Sequence, residues 1–403
     1  MDKEFIESIL KSNPNARRAK DGVVIETEYG MLHLTGMIKK SEYEGLGEDA
    51  TFFAPFCSRS DIEKIKTPKI ASDFLLKLRA ESIVDNPRLI RVFKSRKGNK
   101  TNWSLENFYR ERTREETYLD NLSKGNYDKL KSIPAGSAYL NSVNAVCMKT
   151  ELGNIIAVSE PLEHFLYFMN IFFYGENFGV KDEDIHASFR IAQRIMGGHE
   201  SFDFDIDPRA TLPEHIEAWI NHVTDLQYQF ILGHEYSHHL LGHVKDSNLH
   251  SEALSSFLHM HEGNNKIKYY KYSHKLEYDA DWHSIKNIKG NSNFKNELAC
   301  AAFLTLMYLE CSRMILDYIN PRRTNQISSH PDPVSRIYKI RKKLNNKYGY
   351  TREQLENNLR YFKDYTDSFI TQYLVFNFDE FEKYGSHYLP NYKKKLLVDR
   401  IDF

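Results

Sequence analysis

The chain has 403 residues, and its 55 lysine and arginine residues balance 55 aspartate and glutamate residues to a formal net charge of zero. This balance argues against a protein that coats nucleic acid or acidic membranes through bulk charge. An apolar share of 41%, with 25 Tyr and 25 Phe, argues against wholesale disorder. Four widely spaced cysteines form neither a disulfide framework nor a CxxC metal site, which favours a reducing compartment.

The sequence predicts a soluble, cytoplasmic protein. Residues 1–18 contain no apolar stretch long enough for a signal peptide. The most apolar run, Leu298–Leu309, has 12 residues, whereas a membrane-spanning helix needs about 20. We therefore expect no transmembrane segment, and a buried core helix over this run.

The first part of the chain, residues 1–135, is predicted to be an accessory region. Two alternating segments at 23–28 and 31–36 flank Tyr29-Gly30 and indicate a hairpin. The stretch Arg88–Lys100 carries six basic residues and no acid, which is typical of a solvated surface, with contact to an acidic partner as the alternative. Because nothing else favours nucleic acid, we expect no nucleic-acid partner. Residues 104–132 predict polar helices.

Two strands, two helices and a loop are predicted in the next segment. Residues 139–148 and 154–159 flank Leu152-Gly153 and predict a second hairpin. A buried, aromatic-rich helix is expected over Glu163–Phe173, a further helix over 182–196, and an acidic loop over Glu200–Asp207.

A long amphipathic helix is predicted from residue 211 onward. Thr211 and Glu214 have the spacing of a capping box, with Pro213 in the first turn. Apolar residues then recur at steps of three and four: Ile216, Trp219, Ile220, Val223, Leu226 and Phe230. The stripe continues into His234 and His238.

The segment HEYSHHLLGH at 234–243 has the spacing of a zinc site. His234 and His238, four residues apart, share one helical face and can bind one zinc ion. Glu235 lies one position round, where it can take a proton from water and pass it to a leaving amine. The alternative is a surface helix with scattered histidines, but unliganded polar groups on an apolar stripe are costly.

A third ligand is predicted from EYDAD at 277–281. No histidine lies six residues after His238, because that position is Val244. Glu277 can complete a His2Glu site, and Asp281, one turn on, can accept a hydrogen bond from a ligand histidine. Ser273 and Gly290 fit the start and end of this helix, and the small Ala280 permits close helix packing. Without the preceding motif, EYDAD would be typical of a solvated acidic patch.

These segments resemble a known class of peptidase. HEYSHHLLGH fits the HExxHxxxxH pattern of HtpX-like and CAAX-protease-like gluzincins, and EYDAD fits their ExxAD pattern. HPDPVSRI at 330–337 is similar to their HPxxxxRI segment. A soluble chain with this set also resembles the Lit-type phage-exclusion peptidases. The resemblance covers roughly residues 210–340. The membrane helices of the first two groups are not predicted here, so their membrane substrates are not carried over.

The resemblance implies a residue assignment. Zinc would lie on His234, His238 and Glu277, with Glu235 as base and Asp281 beside a ligand. His330 and Arg336 would lie near the cleft. His330 would then act as a switch or a transition-state donor, and the alternative is that it holds a loop with Pro331 and Pro333.

Other histidines are not predicted as ligands. His239 and His243 point away from the line of His234 and His238, towards solvent or the surroundings of the site. His250, His259 and His261 lie in the connection between the motifs, and His164 is expected in the core. Nucleophile and phosphate-loop motifs are absent from the sequence.

The predicted fold class is α+β, mostly helical, with a zincin-like catalytic domain over 136–345 and a C-terminal helical region over 346–403 that packs on it. The predicted function is a zinc-dependent endopeptidase that cuts a cytoplasmic protein or peptide, in stress or phage defence. The strand over Asn154–Ser159 could offer an edge to an extended peptide. The alternatives are an ImmA- or IrrE-like protease acting on a repressor, and a zincin-fold binding module without catalysis.

Overall fold

The computed structural model describes residues 3–19, 22–28, 30–34, 40–98, 100, 102–111, 114–258, 266–321 and 330–392. Within these ranges the chain is a mixed α+β fold made mostly of helix. Tyr29 and residues 35–36 of the first predicted hairpin, together with His259 and His261, lie outside the described residues.

The helices are α1 Lys3–Ser12, α2 Ala50–Phe53, α3 Arg59–Lys66, α4 Ala71–Val84, α5 Pro87–Lys97, α6 Leu105–Arg110, α7 Arg114–Asp120, α8 Lys124–Leu130, α9 Glu160–Tyr174, α10 Asp182–Met196, α11 Glu214–Leu240, α12 His274–Lys286, α13 Ser292–Ile319, α14 Pro333–Lys343, α15 Arg352–Ser368 and α16 Phe378–Glu382. The strands are β1 Ala16–Arg18, β2 Val23–Thr27, β3 Gly30–Leu34, β4 Ala135–Ala138, β5 Ala145–Thr150, β6 Gly153–Ser159, β7 Leu249–Ala253 and β8 Lys266–Tyr270. A π-helical segment, Phe369–Leu374, follows α15 directly.

Two sheets are described. Strands β1, β2 and β3 form an antiparallel sheet, and the β2–β3 pairing confirms the first hairpin. The second sheet has the order β4-β6-β5-β8-β7, with β4 parallel to β6 and the other pairs antiparallel. The pairing of β5 with β6 confirms the second hairpin, although β5 begins at Ala145. Residues 139–144 instead form the connection from β4.

The expectation that Asn154–Ser159 offers a free edge is wrong. Strand β6 pairs with β5 over Gly153–Val158 on one side. On its other side, Ile156–Ser159 pair with β4. The short β4 segment, whose small residues gave little strand signal, covers four of the six residues of the edge that an added peptide would need.

A continuous apolar core extends from Ala50 to Tyr392. Its members come from both sides of residues 135 and 345, where the predicted domain boundaries lie. Helices α9, α11 and α13 pack against one another within it. The boundaries themselves stay predictions.

Helix α11 begins later than its capping signal predicted. Pro213 occupies the N-cap position and makes no side-chain cap, so the capping box of Thr211 and Glu214 is not formed. The predicted stripe is buried apart from Trp219, which is 44% exposed and lies at its border beside the rings of Tyr174 and Phe178. The helix then continues without a break through His234 and His238.

Helices α12 and α13 follow as a pair. Ser273 stands at the N-cap of α12 without a side-chain cap, and Gly290, at φ +77°, lies beyond the helix end in the turn to α13. The predicted core helix is confirmed as buried but is longer than the apolar run, at 28 residues. By length and composition α13 could cross a membrane, and 72% of its most apolar stretch is buried inside the fold.

The basic stretch Arg88–Lys100 is not simply a solvated surface. Arg88 donates to Asp203 at 2.8 Å, and both side chains are buried. Arg96 donates to Asp205 at 2.6 Å and to Glu160 at 2.9 Å. The predicted acidic loop is confirmed, and it binds the basic helix of the same chain.

Candidate metal centre

Three buried side chains from α11 and α12 converge on one point. The Nε2 atoms of His234 and His238 lie 3.2 Å apart. One Glu277 oxygen lies 3.3 Å from Nε2 of His234, and the other lies 3.8 Å from Nε2 of His238. The ligand atoms all fall within 4.8 Å of one another, so one metal ion could contact all three.

The convergence requires close packing of the two helices. Ala280 is fully buried on α12. Gly233 precedes His234, and a Cβ atom there would lie 2.5–2.7 Å from the ring and hydroxyl of Tyr118. The Tyr118 hydroxyl donates to the Ser284 carbonyl at 2.9 Å. Tyr118 of α7 therefore packs against Gly233 of α11 and hydrogen-bonds to α12, which links the three helices.

Hydrogen bonds at Nδ1 set the orientation of both imidazoles. His234 Nδ1 donates to Asp281 Oδ1 at 2.9 Å. His238 Nδ1 lies 3.0 Å from His243 Nδ1, and the His238 ring stacks on Tyr272 with centroids 3.5 Å apart. Because each Nδ1 is engaged, each Nε2 is left to face the point where the three ligands meet.

Asp281 joins the site to α14. Arg336 donates to its two oxygens at 2.8 and 2.6 Å, and both side chains are buried. Burial raises the pKa of Asp281, but Arg336 and His234 outweigh it and hold that pKa at about 2. Asp281 therefore stays ionised and able to accept from His234.

His330 contacts a predicted ligand. Its Nδ1 lies 2.9 Å from Glu277 Oε2, and its Nε2 lies 3.4 Å from Asn144 Nδ2. His330 thus lies at the cleft, as predicted, and its shorter contact is with Glu277. The α14 N-cap, Asp332, accepts from the Ser335 N–H at 2.8 Å and fixes the helix that follows.

The electrostatics of the site favour a bound cation. Burial lowers the pKa of His234, but its bonds with Asp281 and Glu277 outweigh this and raise it to about 10. Burial raises the pKa of Glu277, yet His234 and His330 hold it well below its usual range. Two carboxylates thus attract positive charge to the point between the ligands. A divalent cation would supply that charge, and the buried set of two nitrogens and one oxygen fits it.

Glu235 lies beside the three ligands without belonging to them. It is buried, and burial raises its pKa, with His234 acting in the opposite direction. It lines two cavities, of about 550 Å³ and about 230 Å³, and Asn144, Ala145 and His330 also line both. Glu235 therefore lies where the two cavities meet, next to the three candidate ligands.

The smaller cavity runs along part of β5. This strand pairs with β8 through Met148 and Lys149, where the two strands meet. Ala145, Val146 and Cys147 have β6 as partner on one side and line the smaller cavity. Within the described sheet, this is a strand segment that faces the cleft.

The histidines set aside in the sequence have distinct places. His243 is nearly buried against His238, which makes it a neighbour of the site. His239 lies 3.2 Å from Cys147 Sγ, away from the three ligands. His250 is exposed on β7, and His164 stacks on Phe204 at 4.2 Å. Tyr272 and Asn144 gave no sequence signal, because neither belongs to a motif.

Comparisons with known proteins return no matching family model, no matching curated protein and no matching solved structure. The resemblance to gluzincins therefore rests on the three short segments described above.

Proposed function

We propose that the chain is a zinc-dependent endopeptidase of the gluzincin type with a zincin-like core. The observation that carries the proposal is the group formed by His234, His238 and Glu277, with Glu235 next to it in a cleft. A metal-binding group alone would also suit a binding module. The carboxylate beside it, facing two cavities, supports hydrolysis.

A zinc ion held by the three ligands would polarise the carbonyl of the scissile bond and acidify a water molecule. Glu235 takes the proton from the water whose oxygen attacks the carbonyl carbon. It then passes this proton to the nitrogen as the C–N bond breaks, which leaves a carboxylic acid and an amine. The acid then loses its proton to the amine, so the products are a carboxylate and an ammonium group. A carboxyl group with a raised pKa suits both transfers.

The contacts of His330 support a positioning role. The Nδ1 atom of His330 lies within hydrogen-bond distance of Glu277, and its Nε2 atom contacts the side-chain amide of Asn144. Both ring nitrogens of His330 thus face protein side chains. His330 therefore orients Glu277, and the role of transition-state donor is less well supported.

The segment Ala145–Cys147 of β5 replaces β6 as the proposed strand for substrate. An extended peptide that paired there would run through the smaller cavity and past Glu235. This geometry suits a protein or peptide substrate. A cytoplasmic location and a role in stress or phage defence are supported by the sequence alone.

The proposal is tested by metal content and by new protein termini. Purified wild type and Glu235→Gln should each hold one zinc ion per chain, since Glu235 is not a ligand. In cells, termini that appear with wild type should be absent with Glu235→Gln. Glu214→Gln, exposed on the same helix, serves as control.

Zinc without any Glu235-dependent terminus would favour the binding module. Dependent termini confined to one repressor would favour an ImmA- or IrrE-like protease. Failure to bind a metal ion in wild type would contradict the proposal.

A further inference from the structure

The larger cavity beside Glu235 has an apolar wall built by four helices. Its volume is about 550 Å³. The apolar lining includes Leu162 of α9, Met196 of α10, Phe230 and Ile231 of α11, and Leu306 and Leu309 of α13. The same cavity contacts His234, Glu235 and His330. Its apolar space is therefore continuous with the cleft.

The polar side chains that α13 contributes to this wall, Thr305, Ser312 and Arg313, have hydrogen-bond partners within the protein. The Thr305 hydroxyl donates to the Ala301 carbonyl at 2.8 Å, and that of Ser312 donates to Gln193 at 2.7 Å. Arg313 donates to both oxygens of Glu310 and to Asp317. A polar or charged substrate group would lose its water here without gaining matched partners.

The two cavities differ in chemistry. The smaller one, of about 230 Å³, is lined in part by Glu252, Lys271 and Tyr269. Only the cavity on one side of Glu235 is thus expected to favour apolar substrate side chains. A cavity of about 150 Å³ is enough to hold benzene. The larger cavity therefore has room for the largest apolar side chains.

We propose that the endopeptidase selects substrates with a large apolar residue, Leu, Met, Phe or Trp, next to the scissile bond, and that the larger cavity binds this side chain. The inference rests on the proposed function and names its substrate class. Small residues would leave the cavity unfilled, and charged residues would be desolvated in it.

The first test uses the full zinc-loaded chain and a peptide library derived from a proteome. One of the two positions flanking the cut should be Leu, Met, Phe or Trp. In a synthetic peptide of the preferred site, replacing this residue with Ala should lower kcat/KM about tenfold or more, and replacing it with Asp about a hundredfold. Replacement at the opposite flanking position should have a smaller effect.

The second test alters the cavity. Leu309→Trp narrows it and should shift preference towards small residues, reducing the Phe-to-Ala ratio of kcat/KM about tenfold. Tyr318→Trp adds the same side chain to α13 at an exposed position outside the cavity lining and should leave the ratio unchanged. Leu309→Ala enlarges the cavity and keeps the test valid if the Trp variant does not fold.

A binding measurement tests the cavity assignment separately from the peptidase activity. Calorimetry of Glu235→Gln with the Phe and Ala forms of the same peptide should show tighter binding of the Phe form. If wild type with bound zinc cuts no peptide of the library, the proposed function fails. If it cuts without preference, or if Leu309→Trp and Leu309→Ala both keep the wild-type preference, the cavity assignment is overturned while the peptidase stands.

Discussion

His243 contacts the ring of His238, one of the three proposed metal ligands. The turn after α11 passes through Gly242 at φ +67°, and the His243 N–H then donates to the His238 carbonyl at 2.9 Å. This turn brings His243 Nδ1 to His238 Nδ1. Burial lowers the pKa of His243, which keeps its ring neutral and able to accept from His238.

His243→Ala should weaken zinc binding about 10- to 100-fold, because the His238 ring loses the partner that fixes its tautomer. Competition titration with a chelator measures the affinity. His250→Ala, on the exposed β7 strand, is the control and should bind zinc like wild type. Equal affinity in both variants would show that Tyr272 stacking alone orients His238.

Residue chemistry at this site was predictable where spacing determines it. His234 and His238 share a helix face, so four residues of spacing predicted their meeting. The Asp281 contact with His234 follows from the single turn between Glu277 and Asp281. Tyr272 reaches His238 from the connection before α12, and Asn144 reaches His330 from the loop before β5. No local pattern encodes such contacts.

Helix α11 approaches its neighbours closely at one glycine. At Gly233 the Tyr118 ring occupies the space that a methyl group would need. A larger residue at Gly233 would therefore also disturb the candidate metal centre. Tyr118 hydrogen-bonds to Ser284 of α12, and the residue that follows Gly233 is His234.

Gly233→Ala should lower the free energy of unfolding by about 1–3 kcal/mol, since the added methyl group overpacks the contact with Tyr118. Gly125→Ala on α8 meets no atom within 4 Å and should be neutral or slightly stabilising. Urea unfolding of the metal-free proteins compares the two. If Gly233→Ala is as stable as Gly125→Ala, the helices can separate without cost.

Elements were predicted well where local periodicity dominates. Residues 182–196 form α10 as expected, and both hairpins form around their glycines. The capping box before α11 failed because Pro213 stands at the N-cap in place of Thr211. The free edge on β6 failed because pairing with β4 is decided by the tertiary fold.

Many of the balanced charges of the chain form ion pairs within the fold. Arginines of α5 pair with the acidic loop over Glu200–Asp207, and that loop also receives Arg194 and Arg209. Arg194 further donates to backbone carbonyls of the C-terminal segment, among them Phe381 and Lys383. Many charges are thus used inside the fold, which composition alone did not reveal.

The free energy of unfolding should depend on pH, because the fold lowers the pKa of some histidines and raises that of another. Burial lowers the pKa of His164 to about 4 and that of His387 to about 3. The unfolded chain protonates both near pH 6.5, so their contribution is present above that pH and is lost as pH falls towards 4 and 3. His234 acts oppositely, because its pKa is raised to about 10 and its contribution is lost as pH rises from 6.5 to 10.

Thermal unfolding of the metal-free chain should therefore give its highest midpoint near pH 6.5, with losses on either side. Zinc should remove the alkaline loss, since the ion replaces the proton on His234. Each acid-side histidine contributes up to about 1.4 kcal/mol per pH unit. A midpoint that rises steadily to pH 10 without zinc would contradict the described contacts of His234.

The most direct measurement compares hydrolysis of one substrate peptide by wild type and Glu235→Gln, both loaded with one zinc ion per chain. General-base catalysis by Glu235 predicts that kcat falls about 100- to 10,000-fold in the variant while zinc content is unchanged. Hydrolysis at the wild-type rate by zinc-loaded Glu235→Gln would contradict the central claim.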